Sequence, residues 1–366
     1  MTIDDRNALT IQAGPAALAQ LRRYGLRAQD IAAVAGAAGG PKGLILQALD
    51  QWLFGDFLAG APRHRTLIGA SIGAWRMAAA CDPDPVTAFK RLGDLYCEQR
   101  YGRKPSPQVV SGVCLEILQK FIGKNADAIV NHPHHHLQIL VSRGRARLQM
   151  PTHRVGTLAG FAAATLANLV ARDRLAGHLD RIVVGDPRDA LGWMKAPFDA
   201  FDTRFAPLQS DNLITALLAS GTLPFVMAPV TAIPRAPLGT FWDGGLIDYH
   251  LSLPYSRITD GLVLYPHFTD HLVPGWLDKA LRWRRAGRGN NRTWLDNVIL
   301  LSPSRSFLDR LPRRKLPDRG DFLHYGLDHA ARIRNWQTAI SEGQRLRDAL
   351  IQFVAAPDMA TVQPIY

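Results

Sequence analysis

Short apolar runs recur along the chain, and several pass directly into stretches whose apolar positions return at helical spacing. QDIAAVAGAAGGPKG reads as a buried strand entering a glycine-rich turn, followed by a helix from about Leu44 to Leu58. RTLIGAS gives a second strand, and IGAWRMAAAC is the helix it feeds. DPDPVTAFKRLGDLYCEQRY predicts another helix, with Asp-Pro as its stop and restart signal. HLQILVSRG, DRIVVGD, GLVLYP and DNVILLSP are apolar, β-rich runs that fit internal strands. In SDNLITALLASGTLP, Ser-Asp precedes a periodic apolar run, which predicts a capped helix. GLDHAARIRNWQTAISEGQRLRDALIQFVA is amphipathic at helical spacing and is expected to pack against the sheet. There is no tandem repeat. Strands alternating with helices imply the α/β class, with a mainly parallel sheet covered on both faces.

Composition narrows this little. A length of 366 residues allows two average domains or one large α/β domain, and 47% hydrophobic content suits a sizeable core. Three cysteines, Cys81, Cys97 and Cys114, with no CxxC pair argue against a disulfide framework or a zinc site. MTIDDRNALTIQAGP lacks the basic and apolar regions of a signal peptide, so a cytoplasmic protein is expected. The uncharged segment 155–171, VGTLAGFAAATLANLVA, is too short and too alanine-rich to span a bilayer and reads as a buried or interfacial helix.

Charge adds a surface. The net charge is +12, and residues 281–320 hold eleven Lys/Arg against three Asp, with Trp283 and Trp294 among them. Such a stretch suits peripheral contact with anionic lipid, at about 1 kcal/mol per basic residue. Nucleic acid and a merely solvated basic loop are the other readings, and no nucleic-acid reading motif accompanies the charge.

Candidate chemistry sits at three glycine-rich points. Gly69-Ala70-Ser71-Ile72-Gly73 is a GxSxG at a strand-to-helix junction. It is either a nucleophile elbow, with Ser71 facing the positive end of the following helix, or a small-residue turn that lets strand and helix approach. AGAAGGPKG, residues 35–43, can converge backbone N–H groups on a substrate oxygen, and its spacing fits neither common nucleotide loop. Asp243 stands before Gly244 and Gly245, as a base or as an Asp-Gly turn.

Together, in this order, the three pieces resemble the patatin-like phospholipase family. AGGPKG (38–43) is similar to its glycine-rich oxyanion motif, GASIG to its nucleophile elbow and DGG to its aspartate motif. LLASGTLPFVMAPV (217–230) resembles the small-residue segment ahead of the aspartate. The resemblance covers roughly residues 30–250 and implies a three-layer α/β fold; residues 28–270 are read as the catalytic core, and the basic region 271–366 with its amphipathic helix, which carries little of the resemblance, as completing the same domain. It also implies a Ser71–Asp243 dyad without histidine, an oxyanion hole from Gly39, Gly40, Lys42 and Gly43, and structural glycines at Gly69, Gly73, Gly244 and Gly245. The implied substrates are carboxylic esters of phospholipids or lysophospholipids, or another acyl ester, with no cofactor and no metal; the basic 281–320 region then gives the expectation of peripheral contact with the inner face of the membrane.

Four residues depart from the family pattern: Ala38 replaces a glycine, Pro41 lacks an N–H, and Trp75 and Arg76 are bulky next to the elbow. They favour the rival reading of a catalytically silent lipid-binding scaffold; a general esterase or thioesterase is the other alternative. The chain order Ser71, Asp243, His250 also permits a triad, although an Asp-Gly turn is a poor mount for orienting an imidazole. NHPHHH, residues 131–136, reads as a solvated histidine loop rather than a metal site.

Overall fold

The computed structural model describes residues 8–150, 154–287 and 289–366. Its strands are β1 (Leu9–Ala13), β2 (Ile31–Gly36), β3 (Arg65–Ala70), β4 (His135–Gly144), β5 (Leu179–Gly185), β6 (Thr203–Pro207), β7 (Phe241–Asp243), β8 (Leu262–Pro266), β9 (Val298–Pro303) and β10 (Gln363–Pro364). The principal helices are α1 (Pro15–Tyr24), α2 (Gln47–Trp52), α3 (Ile72–Ala80), α4 (Pro85–Cys97), α5 (Pro107–Ile122), α6 (Arg154–Val170), α7 (Leu213–Ser220), α8 (His329–Glu342) and α9 (Gln344–Ala355).

The α/β class expected from the alternation is the one observed. A ten-stranded mixed sheet runs β10-β1-β9-β8-β2-β3-β4-β5-β6, with β7 joined to β4. Its centre, β9-β8-β2-β3-β4, is parallel throughout. Antiparallel pairing enters where β1 meets β9 and where β4 meets β5 and β7. The central strands are buried from end to end, as IAAVAG in β2 and VILLSP in β9 show, which is why they read as continuous apolar runs rather than alternations.

One register decides the position of the site. Residues 135–140 of β4 pair with β3, and residues 141–143 pair with β7. The opposite edge of β4 is taken by β5 over 138–144, so β7 must continue along the edge that β3 leaves. Ala70 is opposite Leu140 and Asp243 is opposite Val141. The residue after β3 and the last residue of β7 therefore meet at one point of the sheet.

Several expected elements take a different form. The helix expected over 44–58 is a 3-10 segment (Gly40–Leu46), then α2, then a π turn (Leu53–Phe57). The long C-terminal helix is two helices, α8 and α9, broken at Gly343, where a Cβ would stand 2.2 Å from Ile45 O. Neither Ser210 nor Asp211 caps α7; its N-cap is Asn212, whose Oδ1 accepts from Gln209 N at 2.9 Å. An aspartate cap occurs instead on α4, where the Asp84 side chain accepts from Thr87 N.

The histidine run is not a solvated loop. His135 and His136 are buried on β4, with His136 Nδ1 2.9 Å from Asp186 and its Nε2 2.7 Å from His64. Among the described residues no group of three or more His, Cys, Asp or Glu is placed to hold a metal ion. No helix among them is long and apolar enough to cross a membrane. Much of the 281–320 charge is paired: Arg284 with Asp278, Arg313 and Lys315 with Asp321, and Arg314 with Asp309.

Candidate functional site

Ser71 sits between the end of β3 and the start of α3 with φ 54° and ψ −130°. A side chain at positive φ costs about 1–3 kcal/mol, so the surrounding packing must impose it. The two glycines of the GxSxG show how. A Cβ at Gly73 would lie 1.9 Å from Gly36 O, and one at Gly69 would lie 2.6 Å from Ala74 N. Only bare backbone lets β2, β3 and α3 pass so closely, and the turn that results lifts Ser71 out of the strand.

Serine at a helix N-cap ordinarily spends its hydroxyl on the first-turn N–H groups. Ser71 does not; its side chain makes no capping bond and instead lies close enough to the Asp243 carboxylate to help hold that group's pKa down. Both residues are buried. Asp243 is fixed from three sides. Its N–H donates to Thr222 O at 2.7 Å, its Oδ1 accepts from Gly245 N at 2.7 Å, and Arg319 stands 3.9 Å from its Oδ2. Burial raises the carboxyl pKa above its usual range, opposed by the Arg319 charge, by the bond from Gly245 and by Ser71.

The segment 217–230 holds both partners. Ser220 Oγ accepts from Ser71 N at 2.8 Å and donates to Leu140 O at 2.7 Å, while Thr222 O takes the Asp243 N–H. Ser220 thus ties the elbow to β4. Nothing in the sequence distinguished it from the other small residues of α7.

The glycine turn 38–43 borders the same place. Ala38, Gly39 and Lys42 line a cleft of about 260 Å³ together with Asp243 and Gly245. Ala38 N donates to Tyr249 O at 2.9 Å and Pro41 has no N–H, so neither is a donor for a ligand. Gly39 and Gly40 head the 3-10 turn, where a helical segment leaves N–H groups unused. Gly40 has φ 58°, and a Cβ there would point at Arg319 and Tyr96. Gly43 lies deeper, against Ile72 and Arg76. Gly244 and Gly245 form the turn that follows Asp243.

Two cavities meet at Ser71 and Asp243. The cleft beside Asp243 is basic on balance: Lys42, Lys279 and Arg319 line it against the carboxyl groups of Asp243 and Asp318, with Trp276 and Tyr249. Burial, then the charges of Lys42 and Arg319, push the Lys279 ammonium down to about 7. The cavity beside Ser71, about 370 Å³, is mainly apolar, with Trp75, Tyr96, Val226, Met227 and Phe322 among its walls. Leu223 and Arg319 border both.

Trp75 therefore shapes the apolar cavity, with its Nε1 held by Leu217 O at 3.0 Å. Arg76 turns the other way, into a buried bidentate pair with Asp50 at 2.7 and 2.8 Å. His250 takes no part in a triad. Its Nδ1 accepts from Val273 N at 3.1 Å, its ring stacks on Tyr249, and burial keeps it neutral. Arg319 and Lys279 escaped sequence reasoning as site residues; Arg319 was one more cation in a basic run. Compared with models of known protein families and with curated proteins, the chain matches none.

Proposed function

We propose that this protein is a serine acyl hydrolase of the patatin-like kind, with the three-layer arrangement that kind implies, cleaving carboxylic esters of phospholipids, lysophospholipids or related acyl esters. The observation that carries the reading is the Ser71 hydroxyl. It forgoes its helix-capping bond, sits at a strained φ and lies beside a buried carboxylate whose pKa burial raises.

In this reading Asp243 takes the Ser71 proton as Oγ attacks the ester carbonyl carbon. The carbonyl oxygen becomes an oxyanion facing the N–H groups of Gly39 and Gly40, each such donor being worth about 3–4 kcal/mol. Collapse expels the alcohol, which receives the proton held by Asp243. Water then attacks the acyl-serine ester and gives its proton to Asp243, and the fatty acid leaves as that proton returns to Oγ. A raised carboxyl pKa strengthens Asp243 as a base, which a dyad without imidazole needs. The apolar cavity takes the acyl chain; the cationic cleft takes an anionic part of the substrate.

Labelling with a fluorophosphonate probe tests this. Wild type is expected to label, Ser71→Ala not at all, and Asp243→Asn roughly 10²–10⁴-fold more slowly. A folded wild-type protein that stays unlabelled would refute the hydrolase and leave a silent lipid-binding scaffold.

A further inference from the structure

The helix α6 packs on the body with one face and leaves the other uncovered. Gly160, Phe161, Ala164 and Asn168 are buried. The opposite stripe is apolar and open: Val155 is 71% exposed, Leu158 58%, Leu166 64% and Leu169 52%. Their spacing keeps them on a single line along the helix. Scattered exposed leucines are unremarkable on a protein surface, but an unbroken stripe of this kind marks an interaction face.

The charge around the stripe selects its partner. From Arg145 to Arg172 the chain carries Arg145, Arg147, Arg154 and Arg172 and no Asp or Glu; Asp180 pairs with Arg145, and Asp278 is shared by Arg172 and Arg284, which leaves positive charge in excess at each end of the helix. Two copies laid stripe to stripe, in either direction, would bring like charges together. An anionic bilayer meets opposite charge at both ends, and an apolar stripe flanked by arginine is how an interfacial helix reads. At the C-terminal end, Arg284 donates to Asn168 O at 2.6 Å and Leu169 O at 3.2 Å, which seats its neighbour Trp283, 66% exposed, near the helix end. Tryptophan is favoured at the headgroup level.

The helix is also coupled to the apolar cavity. The Phe161 ring packs on Phe225 at 5.5 Å between centroids, and the next residue, Val226, is a wall of the cavity beside Ser71. We infer that α6 is an interfacial membrane-docking helix, which seats its Val155–Leu158–Leu166–Leu169 stripe in the surface of an anionic bilayer. The inference goes beyond the hydrolase reading and does not require Ser71 to be reactive.

Co-sedimentation of the full chain with vesicles provides the test. Wild type is expected to bind vesicles of phosphatidylcholine mixed with phosphatidylglycerol, and to bind pure phosphatidylcholine more weakly. Leu158→Gln/Leu166→Gln, which changes no charge, should weaken binding by roughly tenfold per leucine. Val86→Gln, an exposed apolar position on α4, should leave binding as it was, and so should Ser71→Ala. Binding by the double variant equal to wild type, with an unchanged circular dichroism spectrum, would overturn the inference. So would a wild-type dimer in light scattering that the double variant dissolves while neither binds vesicles, which would assign the stripe to a second copy. If the probe fails to label but the vesicle results hold, the hydrolase reading fails alone.

Discussion

Replacing Ser71 with glycine should leave the protein more stable than replacing it with alanine, although alanine is the smaller chemical change. Both variants delete the hydroxyl and its approach to Asp243, so that loss cancels in the comparison. What remains is the backbone. Alanine must keep a Cβ at φ 54°, ψ −130°, a region that costs about 1–3 kcal/mol for any residue but glycine. Glycine removes that strain but adds freedom to the unfolded chain, which opposes it by about 0.5–1 kcal/mol. The difference leaves glycine ahead by about 1 kcal/mol at the middle of these ranges and by up to about 2.5 kcal/mol. Urea denaturation of the two variants, read as the shift in midpoint at a common slope, measures it. A Ser71→Gly protein no more stable than Ser71→Ala would mean that the elbow is relaxed, and the argument that packing forces Ser71 into position would fail.

Three further outcomes are expected. The probe-labelling rate requires ionised Asp243, so it should fall as pH drops through a pKa above the usual carboxylate value of about 4; a rate constant down to that value would contradict the burial argument. Burial, with opposition from the Thr269 carbonyl bond to His267, pushes His135 and His267 down to about 3 from 6.5, so the unfolded chain binds the extra protons. Stability should therefore be full above about pH 6.5 and lost progressively as pH falls towards 3, with His250, also held neutral by burial, adding to the loss; a flat profile from pH 6.5 to 4.5 would refute it. Asp50→Ala strands the buried Arg76 guanidinium and should cost about 3–5 kcal/mol, most of it recovered in Asp50→Leu/Arg76→Met; a single variant as stable as wild type would show that Arg76 finds other partners.

What was legible in the sequence follows from how local each signal is. The buried strands declared themselves because every position faces the core, and GASIG and DGG because glycines are demanded at fixed offsets by close backbone contact. β1 (LTIQA), α1 and α5 were not recognised, since their burial depends on neighbours far along the chain, such as β9 for β1. The break at Gly343 was equally hidden: its cause is Ile45, remote in sequence. At the site, Ser71, Asp243, Gly39 and Gly40 stood in motifs, whereas Ser220, Lys279 and Arg319 contribute through tertiary approach alone. His250 was legible as a structural residue, because an Asp-Gly turn is a poor mount for an imidazole. Chain order permitted a triad, and its ring is committed to the Val273 backbone instead.

Because β3 and β7 share one edge of β4, the separation of Ser71 from Asp243 is set by ladder register, with Ser220 and Thr222 at the end of α7 pinning the pair in place. The loop beyond Thr222, which includes Val226 and Met227, walls the apolar cavity. Reactivity and selectivity are thus assigned to separable spans. The loop can be lengthened, shortened or rewritten to admit a different chain while the reacting pair keeps its spacing, which makes residues 223–229 the natural place to diversify this scaffold.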